Sequence, residues 1–413
     1  MKILHAADLH LDSPMRGLLA YEDAPVEELR MATRTALGNL VDAAIAEEVA
    51  LVLLAGDIFD GDWPHYGTGL HFVKEMGRLR EAGVPVVMVS GNHDAASKLT
   101  RPLPLPDNVT LLDARTPQTL IFEELGIAVH GQSYATPELR EDLAATYPAP
   151  IGDMFNIGLL HTAAGGRPGH ENYAPCSVEA LTGRGYDFWA LGHVHAREIL
   201  GLDPLILFPG NLQGRNIRET GPKGATLVEV DHSRPLVERH IDLDCVRWEL
   251  LRVDAAGISG TDELFALLAA RVREASEAAG ERLLATGVVF EGVSAVHGAL
   301  AANPERLRYQ AISAAVGAVG DQVFIERVRL QTEAPRTIAI GGEDAVGELI
   351  REIEELSGTT GLAIPLKALA PLSGVLPEAA KEGFDPADAE QVRALLGELR
   401  DSLPTRLLQG AGG

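Results

Sequence analysis

The first 245 or so residues alternate short apolar runs with stretches of helical periodicity, and this alternation constrains the fold more than any other feature. Runs rich in β-branched and aromatic residues, closed by Gly, Asp or Pro, predict strands over residues 2–7, 51–55, 85–89, 127–130, 156–160, 188–191, 205–208, 225–230 and 237–241. Helical periodicity marks residues 26–48 and 69–82. The pattern predicts an α/β domain. In open α/β sheets, loops at the carboxyl ends of strands project side chains into a shared crevice. Asp8 and His10 follow the first predicted strand, Asp57 the second, and Asn92 and His93 the third. His161 follows a later strand, and His193 and His195 another. Distant parts of the chain are therefore expected to meet in space.

Taken singly, a His is more often a surface or hydrogen-bonded core residue than a ligand. His65, His71, His170, His232, His240 and His297 are read that way. The ordered set is different: Asp8-x-His10, Gly56-Asp57, Gly91-Asn92-His93-Asp94, His161 and Gly192-His193-x-His195. Phosphoester hydrolysis needs a nucleophile at neutral pH and charge compensation for the transferring phosphoryl group. Two divalent cations roughly 3.5–4 Å apart supply both, by acidifying water and clamping the phosphoryl oxygens. An Asp/His/Asn set without thiolate suits Mn²⁺, Fe or Zn²⁺ better than Ca²⁺. Asp57 is the natural bridging carboxylate, and Asn92 can donate a carbonyl oxygen without adding charge. His193 and His195 reach different metals if their turn twists. His93 follows a ligand directly, so it can stand near the site unbound, as a general acid for the leaving oxygen. Asp60 or Asp94 is placed to hold its imidazole.

The chain has 413 residues, 46% of them hydrophobic, which predicts two or three domains. No apolar run approaches the roughly 20 residues of a bilayer span. The start, Met1-Lys2-Ile3-Leu4-His5, enters a strand-like run at once, so no signal peptide is expected. Cys176 and Cys245 are the only cysteines and form no metal clip or disulfide framework. They fit a reducing cytoplasm. The net charge of −24 carries no basic footprint, which argues mildly against tight binding to a polyanion by this chain alone.

From about Arg247 the pattern changes. Strands over 248–253, 283–290 and 322–329, with helices over 261–278 and 304–318, read as a small α+β domain. Two amphipathic helices follow, one with Val346, Leu349, Ile350, Ile353 and Leu356 on one stripe, the other with Val392, Leu395, Leu396 and Leu399. A stretch containing Pro and Gly, around 362–386, separates them. The expected division is a catalytic domain over 1–245, an α+β capping domain over 246–340 and a helical region over 341–413. There is no internal repeat.

Asp8-Leu9-His10, Gly56-Asp57-Ile58-Phe59-Asp60, Gly91-Asn92-His93-Asp94, Leu160-His161-Thr162 and Gly192-His193-Val194-His195 together resemble the calcineurin-like metallophosphoesterases over about 215 residues. The resemblance implies a four-layer α/β/β/α sandwich. It implies that Asp8, His10, Asp57 and His195 hold one metal, and that Asp57, Asn92, His161 and His193 hold the other. It makes His93 the acid and Asp60 its carboxylate partner. The run from His5 to Pro14 and the segment from Phe208 to Glu219 are similar to the DNA-repair exonuclease branch, and within it to the YhaO group. In archaeal and eukaryotic members a His stands three residues after the bridging Asp; here Asp60 stands there, as in bacterial members. The branch implies a capping domain along the DNA path and a homodimer. It also implies C-terminal helices that dock on an SMC-like coiled-coil ATPase of the YhaN/SbcC type.

The expected function is therefore a Mn²⁺-dependent DNA exonuclease, with Arg215, Arg218 and Lys223 near the substrate as phosphate contacts. A small-molecule phosphodiesterase or phosphatase is the alternative, because fold and metals do not choose the substrate. A non-catalytic scaffold is the second.

Overall fold

The computed structural model describes residues 1–13, 25–61, 66–96, 103–166, 173–231, 237–335, 345–358, 361–373 and 384–410. His65, His170, His232 and Pro14, named above, lie outside the described residues, as do the side chains of Val346 and Ile350. The chain divides into two compact units. One comprises Met1–Glu249 with Ala279–Ala285, and the other comprises Leu250–Ala278 with Thr286–Gly413.

The first unit contains two six-stranded mixed sheets. Sheet one runs β12(Val237–Asp242)–β11(Gly224–Glu229)–β1(Lys2–Ala6)–β2(Leu51–Ala55)–β3(Val86–Val89)–β4(Val109–Leu111). Strands β1 to β4 are parallel, while β11 is antiparallel to both β1 and β12. Sheet two runs β5(Gln118–Phe122)–β6(Ile127–Gly131)–β7(Phe155–His161)–β8(Phe188–Gly192)–β10(Leu205–Phe208)–β9(Glu198–Leu202). Its four inner strands are parallel and its two edge strands antiparallel.

Strand periodicity builds the layers. On β1, Leu4 and Ala6 face one way and pack with Leu37, Leu40 and Val41 of α1(Val26–Ala46) and Phe72 and Met76 of α2(Gly67–Glu81). Ile3 and Ala7 face the other way, into the layer between the sheets. There they join Leu53, Val87, Val129, Ile157, Leu159 and Phe188. Strands buried on both faces read as unbroken apolar runs, as these do. Each Val, Leu, Ile, Phe or Met side chain among them contributes about 1.5–3 kcal/mol on burial. That burial locks the sheets face to face and fixes where their strand ends lie. The short helix α3(Asn92–Ala96) follows β3 at the edge of the site. The outer face of sheet two is covered by Tyr134, Tyr147, Tyr186 and Leu181, the last on the short helix α4(Val178–Thr182). This is an α/β/β/α arrangement whose fourth layer is thin.

The second unit holds the three-stranded sheet β13(Val246–Asp254)–β14(Leu283–Val293)–β15(Val323–Glu333), whose first strands begin in unit one. It also holds α5(Thr261–Ala279), where Phe265 meets Phe290 edge-on at 6.0 Å. The short α6(His297–Ala301) and the longer α7(Pro304–Val319), capped by the Asn303 side chain, connect β14 to β15. Toward the C-terminus, Leu349, Ile353 and Leu356 of α8(Ala345–Ser357) cluster with Val392 and Leu396 of α10(Ala389–Gly410). Three residues of the first expected stripe and two of the second thus share one cluster. The stretch between them, read from sequence as a Pro/Gly connection, contains a helix, α9(Ala363–Ser373), whose Leu366 and Leu369 join the same cluster.

Candidate metal centre

The site lies at the carboxyl ends of β1, β2 and β3 in sheet one and of β7 and β8 in sheet two. Loops after β1 and β2 continue side by side: Asp8 N–H donates to Gly56 O, His10 N–H to Asp57 O and Leu11 N–H to Ile58 O, each at 3.0 Å. Asp8, His10, Asp57 and His193 all have positive φ, at 53°, 44°, 51° and 106°. Such backbone costs about 1–3 kcal/mol per non-glycine residue and persists where the surroundings over-determine it, commonly at functional sites. At His193 it supplies the twist expected of the His193/His195 turn. The His193 ring lies 5.2 Å from the His161 ring, while His195 turns to His10.

Two glycines make this convergence possible. A Cβ on Gly192 would lie 1.9 Å from Ala55 O, so only glycine lets β8 of one sheet approach β2 of the other. A Cβ on Gly91 would lie 2.3 Å from Asp57 Oδ1 and 2.8 Å from His161 Nε2. Gly91→Ala is therefore expected to leave the sheets intact but displace Asp57 and His161. Phosphoester turnover should fall at least about tenfold, about 1.4 kcal/mol. Kinetics with a chromogenic diester check this, alongside far-ultraviolet circular dichroism.

Four atoms converge on the first position. His10 Nε2 and His195 Nε2 are 3.2 Å apart. Asp8 Oδ1 lies 4.0 Å from His10 Nε2 and 3.8 Å from His195 Nε2, and Asp57 Oδ2 lies 3.9 Å from His10 Nε2. On the other side, the same Asp57 Oδ2 lies 3.5 Å from His161 Nε2, which is 3.1 Å from Asn92 Oδ1. One oxygen of Asp57 thus stands between two groups of donors, as a bridging ligand must. Its other oxygen accepts from His93 N–H at 2.9 Å. Asp8 Oδ2 accepts from His193 N–H at 2.9 Å, but the buried Asp8 Oδ1 has no hydrogen-bond partner. The three imidazoles are aimed from behind: His161 Nδ1 meets Ala55 O at 2.9 Å, His195 Nδ1 meets Glu219 Oε1 at 2.8 Å, and His10 Nδ1 faces Asp60 Oδ1 at 3.5 Å. Such outer contacts fix which nitrogen points inward.

The electrostatics describe a coordination shell. Burial pushes Asp8 well above the carboxylate range, with Asp57 adding to it, and raises Asp57 to about 6. Burial also drives His10 well below its ordinary value and His161 down to about 3, so these imidazoles offer neutral lone pairs. Buried carboxylates beside neutral imidazoles carry a desolvation cost that a divalent cation offsets. The orphaned Asp8 oxygen and this donor set fit a pair of hard-to-borderline cations.

His93 differs from the ligands. Its side chain is 42% exposed and its Nδ1 lies 2.8 Å from Asp60 Oδ1. That hydrogen bond raises His93 against the opposing effect of burial. Burial also opposes ionisation of Asp60, yet contacts with His10 and His93 outweigh it and hold the carboxyl well below its usual range. Asp94, the other carboxylate expected near His93, does different work. It is buried and accepts backbone N–H groups from Ile58, Phe59 and Gly91 at 3.1, 2.9 and 3.0 Å, pinning two loops together.

The three expected phosphate contacts separate. Arg215 lies at the site, with Nη2 3.1 Å from Glu219 Oε1 and Nη1 3.8 Å from Asp60 Oδ2. Arg218 is exposed, and its backbone N–H donates to Asn216 Oδ1 at 2.9 Å. Lys223, by contrast, is 6% exposed and donates to His195 O at 2.8 Å, so its ammonium holds the protein rather than facing solvent. Sequence reasoning misses Glu219. No spacing signal marks it, because a loop fold brings it to His195.

Paired carboxylates, inward-aimed imidazoles and one Asp57 oxygen set between two groups of donors could hold metal ions as a dinuclear metallohydrolase does. The calcineurin-like phosphoesterase family model matches residues 1–197, and this part of the chain is a domain of that family. The model for the middle domain of metallophosphoesterase YhaO matches residues 248–333. The chain is 35% identical over 272 residues to the uncharacterized metallophosphoesterase YhaO of Bacillus subtilis, covering 65% of this chain and 66% of that protein. It is 26% identical over 259 residues to the DNA double-strand break repair protein Mre11 of Sulfurisphaera tokodaii, covering 59% and 63%. With the Methanopyrus kandleri protein of the same name it shares 25% identity over 290 residues, covering 64% and 61%. The matches thus span just under two thirds of these relatives' lengths. A dimetal phosphatase from Danio rerio matches at 13% identity and TM-score 0.32, covering 55% of this chain and 92% of that one. Among the described residues, no helix is long and apolar enough to cross a membrane.

Proposed function

We propose that this chain is a Mn²⁺-dependent nuclease that hydrolyses phosphodiester bonds in DNA, with His93 as general acid. The observation that carries this reading is the half-exposed His93 held by Asp60 beside a buried ligand cluster. A carboxylate only accepts, so the 2.8 Å contact places a proton on His93 Nδ1. The imidazolium then presents its Nε2 proton to a leaving oxygen, which matters most for a poor leaving group such as a deoxyribose alkoxide. Bound divalent cations would supply an acidified water and charge compensation on the phosphoryl oxygens. Asp57 and Asp8 would hold the cations, and Asp60 stabilises His93 in its charged form.

DNA as the polymer is favoured by the names of the Mre11 relatives. Their likeness extends beyond the phosphoesterase region, since 59% of this chain exceeds the 197 residues of that match. The net charge of −24 is in keeping with a DNA grip shared with a partner, for which an SMC-like ATPase is the proposed candidate. The test is purified chain with Mn²⁺ and linear DNA, alone and with a coiled-coil ATPase of the YhaN/SbcC type. Degradation that His93→Ala abolishes is expected. Turnover of bis-p-nitrophenyl phosphate with no action on DNA under either condition would overturn the nuclease reading in favour of a small phosphoester substrate.

A further inference from the structure

The loop after β10 carries Asn211, Arg215, Glu219 and Lys223, whose polar groups turn inward. Glu219 Oε1 takes His195 Nδ1 at 2.8 Å, and Oε2 accepts from Asn211 Nδ2 at 2.9 Å and Arg215 N–H at 2.8 Å. The Arg215 guanidinium pairs with Glu219 at one end and faces Asp60 at the other, where Ser13 Oγ lies 3.4 Å from Nη1 and itself donates to Asp60 Oδ2 at 2.6 Å. Asp60 in turn holds His93 at 2.8 Å and faces His10 at 3.5 Å. A continuous path therefore runs from His195 through Glu219, Arg215 and Asp60 to His10 and His93.

We propose that Glu219 and Arg215 are positioning residues that hold His195 and His93 as one unit, so that Glu219 sets the affinity of the cation position built on Asp8, His10 and His195. Arg215 Nη2 comes within 3.3 Å of His195 Nδ1, bringing two donors together. Glu219 makes that approach tolerable by accepting from both. Without its carboxylate, the guanidinium faces the imidazole directly and the ring is free to turn. Lys223, on His195 O, fixes the backbone but not the ring. With one carboxylate at each end of its guanidinium, Arg215 is committed to the protein rather than to a substrate phosphate. Outer contacts of this kind commonly change metal affinity about 10–100-fold. The position built on Asn92, His161 and His193 has its own support in Ala55 O and is expected to be unaffected.

The inference rests on the dinuclear-metal reading but not on DNA as substrate. The experiment is Mn²⁺ titration of wild type, Glu219→Ala, Glu219→Gln and Arg215→Ala. It is followed by calorimetry and by electron paramagnetic resonance, with folding checked by circular dichroism. Wild type is expected to take two ions and to show a spin-coupled Mn²⁺ pair. Glu219→Ala should keep one tight site, weaken the other about 10–100-fold and show uncoupled Mn²⁺. Glu219→Gln, which keeps an acceptor oxygen, should fall between and decides the matter if the alanine variant does not fold. Arg215→Ala should lower kcat on a chromogenic diester with KM little changed. Equal affinity for both ions in wild type and folded Glu219 variants would overturn the proposal. So would an Arg215→Ala effect confined to KM. Failure of wild type to bind Mn²⁺ would instead sink the metal reading itself.

Discussion

Asp57→Asn is expected to lower phosphoester hydrolysis about 10³-fold or more, because charge stabilisation by cations is worth several kcal/mol and each 1.36 kcal/mol is a factor of ten. The substitution is nearly isosteric. Asp57 Oδ1 accepts from His93 N–H, so the new amide must keep its oxygen there. Its NH₂ then replaces Oδ2, the oxygen facing both His10 and His161. Two donor hydrogens would point at the place where cations belong. The metal-free protein should not suffer, since burial already opposes ionisation of Asp57. A thermal melt without metal is expected to be unchanged or higher for the variant, while the rise that Mn²⁺ gives wild type should shrink. A loss of stability without metal, matching the loss of activity, would show that Asp57 serves folding instead.

His93→Ala is expected to lower turnover about 10²–10⁴-fold, the usual contribution of a positioned acid, while leaving Mn²⁺ affinity close to that of wild type. The separation matters. His93 is half-exposed whereas Asp8, His10, Asp57 and His161 are buried, and its hydrogen bond runs to Asp60. An acid is needed least when the leaving group is already stable as an anion. The loss should therefore be much smaller on a p-nitrophenyl ester than on an alkyl phosphodiester. Equal losses on both, together with weakened Mn²⁺ binding, would make His93 a ligand or a structural residue.

The ends of β1, β2, β3, β7 and β8 are legible in the sequence because burial on both faces writes these strands as apolar runs, each closed by a candidate ligand. Strands β4, β5 and β9 are not, and all three lie at sheet edges. Edge strands are half-solvated: the residues of β5 and β9 are exposed or intermediate, so no apolar run marks them. The site shows the same division. Ligands beside strand ends can be found from spacing, since β1, β2, β3, β7 and β8 carry them to one place. Glu219 cannot, because its contact with His195 depends on how a loop closes over Asn211 and Gly214. Lys223 reads as a loop cation, yet it is buried on His195 O. Asp60 and Asp94 are equivalent candidates beside His93 by sequence alone. They differ because Asp94 lies in the first turn of α3, which turns it toward backbone N–H groups.

The dinuclear centre itself is tested most directly by the number of Mn²⁺ ions bound per chain, measured by elemental analysis after equilibration and desalting. Wild type is predicted to retain two ions and Asp57→Asn no more than one. One ion or none in wild type, or two tightly held ions in the variant, would contradict a centre bridged by Asp57.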